Sequence, residues 1–436
     1  MISKLSAAKR DPLHRNAFFL MLNQAALGLT GYIYWFIAAR HAAPAFVSSS
    51  LAALGIIGLL GTAVTLGLPS TLMRFWSAVP SPTALLAKAL SFVAGAGLAL
   101  SGLWLLLGHI GLPRSSPSVI VFLAALAIPI AGVGTVSTFA LIARQQASRV
   151  LLKDSIATLA KFALLLLFIA TIGLSTKNIV TSSLAALITA AALATILALR
   201  PTKPRTTNAT PPSSSALLRF SLGNHVAALV ASAPPFVFPA ILVAILGPTK
   251  AAFVTIPLMI VTALTVIPQS ISNSLLTESS RDQTKLPHLI WRSVKSIYIL
   301  AIPAVAVVFV AAPYILHAFG PGYASGSTCL RFMTLAILVM AANYVSDTVL
   351  LAHTKTKAYM VVNILGTIAV VGATVVGATH SVSATGIGWA AGQSIYLLLS
   401  VIALFATRIT SKDHSSLAPQ APPRMHKTGT SPQSST

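Results

Sequence analysis

Six acidic and 29 basic residues are spread over 436 positions, so a charge that falls inside an apolar run calls for a reason. Asp154, Thr158 and Lys161 stand at i, i+4 and i+7, on one face of a helix. A cation in hydrocarbon costs at least about 2.5 kcal/mol on insertion scales and is by default a functional candidate. The Lys161 amine is suited to a phosphate group; equally, it could snorkel to the surface or pair with Asp154. Asn16, Asn23, Thr30 and Tyr34 follow one another by seven, seven and four, again on one face. That face must look into protein or a water-filled cavity, either as a cavity lining or through hydrogen bonds between helices. Asp347 follows Asn343 by one turn. It can carry a coupling ion, or be a near-interface acid balanced by Lys355 or Lys357. His225 can titrate near neutral pH or be an interfacial structural histidine. Arg40, Arg74 and Arg331 sit at span ends, where they serve as interfacial anchors or as an electropositive path for an anionic head group.

Other chemistries lack their residues. There is no Walker A sequence, no HExxH, no GxSxG and no cluster of metal ligands, so neither metal nor cofactor is expected. The single cysteine, Cys329, excludes an intrachain disulfide and any cysteine-rich metal site. A membrane hydrolase, glycan polymerase or glycosyltransferase needs paired carboxylates or a nucleophile, and only one carboxylate, Asp347, falls well inside a span. An enzyme is therefore the weak reading.

The elements that must position these groups are helices in a bilayer. Residues are 56% hydrophobic and only 8% charged, against about 25% charged in soluble domains. The apolar runs are continuous and near the ~20 residues that cross a bilayer as a helix. Twelve spans are expected, at about 17–38, 47–68, 84–107, 118–142, 155–173, 179–199, 220–246, 251–272, 296–316, 329–351, 358–378 and 385–407. This is an all-α polytopic membrane protein of two six-helix lobes. Residues 1–16 form a cytoplasmic N-terminus, 17–199 the first lobe, 200–216 a Pro/Thr/Ser-rich linker, 217–410 the second lobe, and 411–436 a disordered tail. Six plus six suggests duplication, and Leu22–Leu27 loosely echoes Asn224–Leu229.

Charge orients the chain. Alternate loops and both termini hold 23 Lys and Arg, whereas the opposite loops hold four, Arg40, Arg114, Lys177 and Lys250. By the positive-inside rule the basic side and both termini face the cytoplasm. No extracytoplasmic loop carries a carboxylate. The net charge of +23 thus reflects topology, and no nucleic-acid partner is expected. Pro234, Pro235 and Pro239 interrupt span seven and should kink it.

Short pieces in order along the chain resemble the polysaccharide-export flippases (O-antigen or exopolysaccharide) of the multidrug/oligosaccharidyl-lipid/polysaccharide (MOP) superfamily. They are Tyr34–Arg40, Leu66–Phe75, Leu246–Phe253, Ser274–Ser280 and Phe319–Ala324. The resemblance implies two lobes in a V around a central cavity, as in the multidrug (MATE) branch. It implies transport of a lipid-linked oligosaccharide, carried on a polyprenyl diphosphate, across the cell membrane by alternating access for cell-surface polysaccharide biosynthesis. Membrane lipids and polysaccharide polymerase or assembly proteins are the implied partners. Basic cavity residues hold the phosphate and glycan head in such flippases; the positions available here are Arg40, Arg74, Lys161 and Arg331, with Asn23 and Tyr34 beside them. The drug-exporting branch uses an acid deep in its first lobe, which this chain lacks, leaving Asp347 or His225 for ion coupling. The lipid II flippases have fourteen spans and an early Arg-Asp pair, both missing here. A cation-coupled antiporter of the same fold is the alternative.

Overall fold

The computed structural model describes residues 12–76, 79, 81–107, 118–200, 221, 225, 229, 233, 235–279 and 286–407. The first half comprises α1 (Pro12–His41), α2 (Pro44–Ala63), a short α3 (Leu68–Phe75), α4 (Pro82–Leu107), α5 (Ser118–Ala143), α6 (Ala147–Thr171) and α7 (Thr176–Ala198). The second half comprises α8 (Pro235–Leu246), α9 (Pro248–Leu264), α10 (Val266–Ser279) and α11 (Leu286–Phe319). A 3₁₀ turn (Pro321–Gly326) then leads to α12 (Ser327–Ala352), α13 (Thr356–His380) and α14 (Val382–Ala406). Ten stretches among the described residues are long and apolar enough to cross a membrane, and they match ten of the twelve expected spans. The first expected span is α1, 30 residues long but diluted by Asn16, Asn23, Gln24 and Thr30. The seventh is seen as α8 and, upstream, the helical positions Ser221, His225, Leu229 and Ala233. Pro234, Asn224, Arg114 and nearly all of the linker, with the N-terminal 11 residues and the tail, lie outside the described residues.

Two boundaries differ from the sequence expectation. Helix α6 begins at Ala147 rather than near 155, and α11 at Leu286 rather than near 296. Apolarity marks where a helix enters hydrocarbon, not where its hydrogen bonding begins, and both helices start in polar sequence. Lys153 and Asp154, just before the expected start of span five, are therefore in the second turn of α6.

The two halves repeat one packing scheme. In the first lobe α5 is central, against α2, α4 and α7, while α6 lies on α7. In the second, α12 is central, against α9 and α10, α11 and α14, while α13 lies on α14. With no hydrophobic drive between helices in lipid, close approach depends on small residues. At the α13–α14 crossing a Cβ on Gly388 would stand 2.2 Å from the Ala373 carbonyl oxygen, and one on Gly392 2.5 Å from Val370 Cα.

Two prolines inside helices leave carbonyls that a neighbouring helix satisfies. Pro129 in α5 has no N–H for the Ala125 carbonyl four residues back; Ser101 of α4 donates to that oxygen at 2.6 Å. Pro313 in α11 likewise leaves the Phe309 carbonyl, which receives Arg331 Nε at 3.2 Å.

Two seams join the lobes. At one end Arg40 Nη1 donates to Ala318 O at 2.9 Å, Phe36 and Tyr32 set their edges against Phe319, and Ser48 donates to Pro248 O. Along α2, Gly55 and Gly58 admit the backbone and ring of Phe236. At the far end of α2 the chain turns through left-handed Leu66 and Gly67. There His225 Nε2 lies 3.0 Å from Ala63 O and Ser221 donates to Leu66 O.

Candidate functional site

Helices α1, α6 and α7 enclose a pocket of about 280 Å³, lined by Thr30, Asp154, Thr158, Lys161, Phe162 and Ser183 among others. The polar face of α1 accounts for it. Asn16 Oδ1 accepts the Ala147 N–H at 2.9 Å, satisfying a free donor of the first turn of α6. One turn pair further, Asn23 Nδ2 donates to Asp154 Oδ2 at 3.0 Å. Tyr34, fully buried, donates its hydroxyl to α7, with Ser182 Oγ at 2.7 Å and Ile179 O at 3.1 Å. The face thus docks α1 on α6 and α7 and leaves the pocket in between. Thr30 satisfies its own hydroxyl on Ala26 O and contributes a wall.

Lys161 lies about 21 Å along α6 from its start at 1.5 Å per residue. Its ammonium stands 3.6 Å from the centre of the Tyr34 ring and 5.9 Å from that of Trp35, an electrostatic seat for a cation. The expected alternative of a Lys161–Asp154 pair is not what forms. Asp154 Oδ1 instead binds Lys153 Nζ at 2.5 Å, with only 5% and 15% of the two side chains exposed. Asn23 Oδ1 is buried and accepts no hydrogen bond. At seven residues' separation the Asp154 and Lys161 Cα atoms lie about 10 Å apart along the axis. The pocket therefore has an oxygen-rich end and a cationic end.

The other basic candidates lie elsewhere. Arg40 is exposed in the seam, where its guanidinium caps a last-turn carbonyl of α11. Arg331 fills the proline gap in α11 and rests on the Phe309 ring, 5.6 Å from its centre. Arg74 is exposed on α3 beside Phe75. His225, buried, caps the end of α2. The structure puts Lys161 in the pocket wall, with Tyr34 against its ammonium and Asn23 bonded to the lining Asp154; it does not gather the four cations.

A second polar cluster occupies the other lobe. Asp347 of α12 accepts from Tyr396 of α14 at 3.0 Å and from Asn363 of α13 at 3.3 Å. One turn back, Asn343 donates to Gln393 Oε1 at 3.1 Å. Among the described residues no cation, Lys355 and Lys357 included, pairs with Asp347. Its partners come from other helices, so spacing along one span could not announce them. Lys153, which the sequence reading does not single out, is signalled only by its adjacency to Asp154. Among the described residues no three His, Cys, Asp or Glu side chains could hold a metal ion.

The fold is that of the MOP transporters. The chain superposes on the lipid II flippase MurJ in an inward closed conformation with TM-score 0.70 and 13% identity, covering 89% of this chain and 87% of that one. An inward-facing multidrug resistance MATE family transporter of the MOP superfamily gives 0.63 at 16%, covering 88% and 96%. An outward-facing MATE transporter gives 0.56 at 15%, covering 92% and 96%. No family model and no curated protein matches the sequence.

Proposed function

We propose that this protein is a flippase that carries a lipid-linked oligosaccharide, on a polyprenyl diphosphate, from the cytoplasmic to the outer leaflet by alternating access, for cell-surface polysaccharide biosynthesis. The observation that carries this reading is Lys161. Its ammonium is held on Tyr34 in the first-lobe pocket, while the one acid nearby is already taken by Lys153 and Asn23. The pocket accordingly presents an uncompensated positive charge, suited to an anionic head group and unsuited to a cationic drug. Charge bias in the loops sets the Arg40–Ala318 seam outside and both termini in the cytoplasm of a cell membrane. By alternating access the head group would enter from the cytoplasm between the lobes while the lipid tail stays in the bilayer.

The test is transport by purified protein in liposomes holding a fluorescent polyprenyl-diphosphate oligosaccharide. Movement by the wild type, lost in Lys161→Ala, supports both the reading and the site. Movement that survives Lys161→Ala keeps the flippase and removes the site. A second reading, a cation-coupled antiporter of the same fold, is favoured by Asp347, an acid in a span with only neutral donors around it. Efflux of a cationic dye without lipid movement would select it.

A further inference from the structure

A second pocket, of about 440 Å³, opens at the end of the other lobe where α9 and α14 begin and α13 finishes. Its lining includes Lys250, Phe253, Ser325, Thr379, His380 and Ser383. We infer that it is an extracytoplasmic binding site for an acidic, hydroxyl-bearing sugar segment, which receives the head group on its way out. The inference rests on the flippase reading for where the ligand comes from, though not for the pocket itself.

The hydrogen bonds inside the pocket define the ligand. Ser325 donates its hydroxyl to Gly322 O at 2.8 Å and Thr379 donates to Val376 O at 2.7 Å. In this arrangement both hydroxyl oxygens are left as acceptors, Thr379 Oγ1 already lying 3.1 Å from His380 Nδ1. His380 Nδ1 lies 2.9 Å from Val376 O, a contact that requires the proton on Nδ1. In the neutral ring Nε2 is then a further acceptor. The two open acceptors, Ser325 Oγ and His380 Nε2, call for a ligand with O–H donors, which sugars supply and a bare phosphate or sulfate does not. Lys250 is exposed, in the first turn of α9, and among the described residues no carboxylate pairs with it. It adds a demand for negative charge, and the carboxylate-free loops on this side leave nothing to repel an anion. Phe253, held edge-on by Tyr323 at 5.7 Å between ring centres, offers an apolar wall to the C–H face of a sugar.

Position links the pocket to the seam. Lys250 is two residues from Pro248, whose carbonyl accepts Ser48 of the first lobe. Tyr323 also lies against Phe319, the ring clasped by Tyr32 and Phe36. A head group leaving through this seam passes directly beside Lys250.

The experiment is calorimetric binding to the full chain in neutral detergent, with three lipid-free or lipid probes. They are an oligomer of a uronic acid, a neutral glucose oligomer of equal length, and phosphatidylglycerol in mixed micelles. Binding of the uronic oligomer above the neutral one, weakened about tenfold in Lys250→Ala and restored in Lys250→Arg, is the expected result. His380→Ala is expected to weaken the uronic and neutral oligomers alike, and it serves as the second variant if Lys250→Ala does not fold. Equal binding of the two oligomers, binding that Lys250→Ala leaves unchanged, or binding of phosphatidylglycerol alone would overturn the inference. Failure of lipid transport with this binding intact removes the flippase reading and keeps the site; transport without this binding does the reverse.

Discussion

The Lys161 ammonium stands 3.6 Å from the centre of the Tyr34 ring, while the Tyr34 hydroxyl reaches the other way, to Ser182 at 2.7 Å. One side chain thus does two separable jobs: its ring seats a cation and its hydroxyl ties α1 to α7. Tyr34→Phe should keep transport near the wild-type rate and cost about 1 kcal/mol of stability, the net worth of a hydrogen bond. Tyr34→Leu should lose the cation seat, worth about 0.5–2 kcal/mol, and with it head-group affinity. Parallel transport and thermal-unfolding assays on both variants check the separation; equal transport by Phe and Leu would show that the ring has no part in holding Lys161.

Lys153 and Asp154 are a pair with little exposure on either side. Removing one partner of such a pair leaves an uncompensated charge, which costs about 3–5 kcal/mol when fully buried. Because Asp154 retains 15% exposure, the low end, about 3 kcal/mol, is expected for Lys153→Ala. The double variant Lys153→Met with Asp154→Asn should recover most of the loss, since the introduced amide can still bond Asn23. Unfolding in detergent measures both. A Lys153→Ala protein as stable as the wild type would mean that the pair is solvated in the membrane-embedded protein.

How much of this could be read from the chain alone differs between the lobes. The spacing of Asn16, Asn23, Thr30 and Tyr34 puts them on one face of α1, because helical periodicity is a property of one segment; that three of them bond α6 and α7 is seen only in the packing. The same reasoning set Lys161 beside Asp154 on α6, yet could not see that Tyr34 and Lys153 would claim one charge each. Those choices depend on how α1 and α6 meet. Asp347 stood out as an acid in a span, but Tyr396 and Asn363 lie on two other helices. Arg331 looked like a candidate for head-group contact; the proline 18 residues before it explains its position only once α11 and α12 are side by side.

That proline makes Arg331 testable. If Arg331 serves to satisfy the Phe309 carbonyl left by Pro313, then Pro313→Ala restores the missing N–H and makes the arginine dispensable. Arg331→Ala alone should cost about 1.5–3 kcal/mol, the range for a charged hydrogen bond. In the Pro313→Ala background the same change should cost well under 1 kcal/mol, a coupling that a double-mutant cycle reads directly. Loss of transport in both backgrounds at equal stability would assign Arg331 to the substrate instead.

Arg40 of the first lobe bonds Ala318 O of the second across the seam. An exposed charged hydrogen bond sits at the low end of its range, about 1.5 kcal/mol, or about a tenfold change in the closed-to-open ratio. Arg40→Ala should therefore raise the outward-open fraction. Pulsed dipolar distances between spin labels at Ala43 and Ala324 should show a longer component growing in the variant. An unchanged distance distribution would leave the aromatic clasp of Tyr32, Phe36 and Phe319 as sufficient to hold the seam.

Asp347 offers a test of coupled against uncoupled transport. Tyr396 and Asn363 supply one neutral donor to each carboxylate oxygen; the charge is stabilised there but not cancelled, so a proton or sodium ion from solution is its natural partner. In Asp347→Asn the amide oxygen can still accept from one of them, while its NH₂ faces the other donor, so the fold should survive with about 1 kcal/mol lost. Head-group binding at Lys161, in the opposite lobe, should be untouched. The rate of lipid movement should lose its dependence on an imposed proton or sodium gradient, measured in the same liposomes with each gradient in turn. If the variant moves the lipid as the wild type does under every gradient, Asp347 is a structural acid and the energy source lies elsewhere. If it neither moves lipid nor binds the head group, the two lobes are coupled in binding, and Lys161 cannot be treated as an independent site.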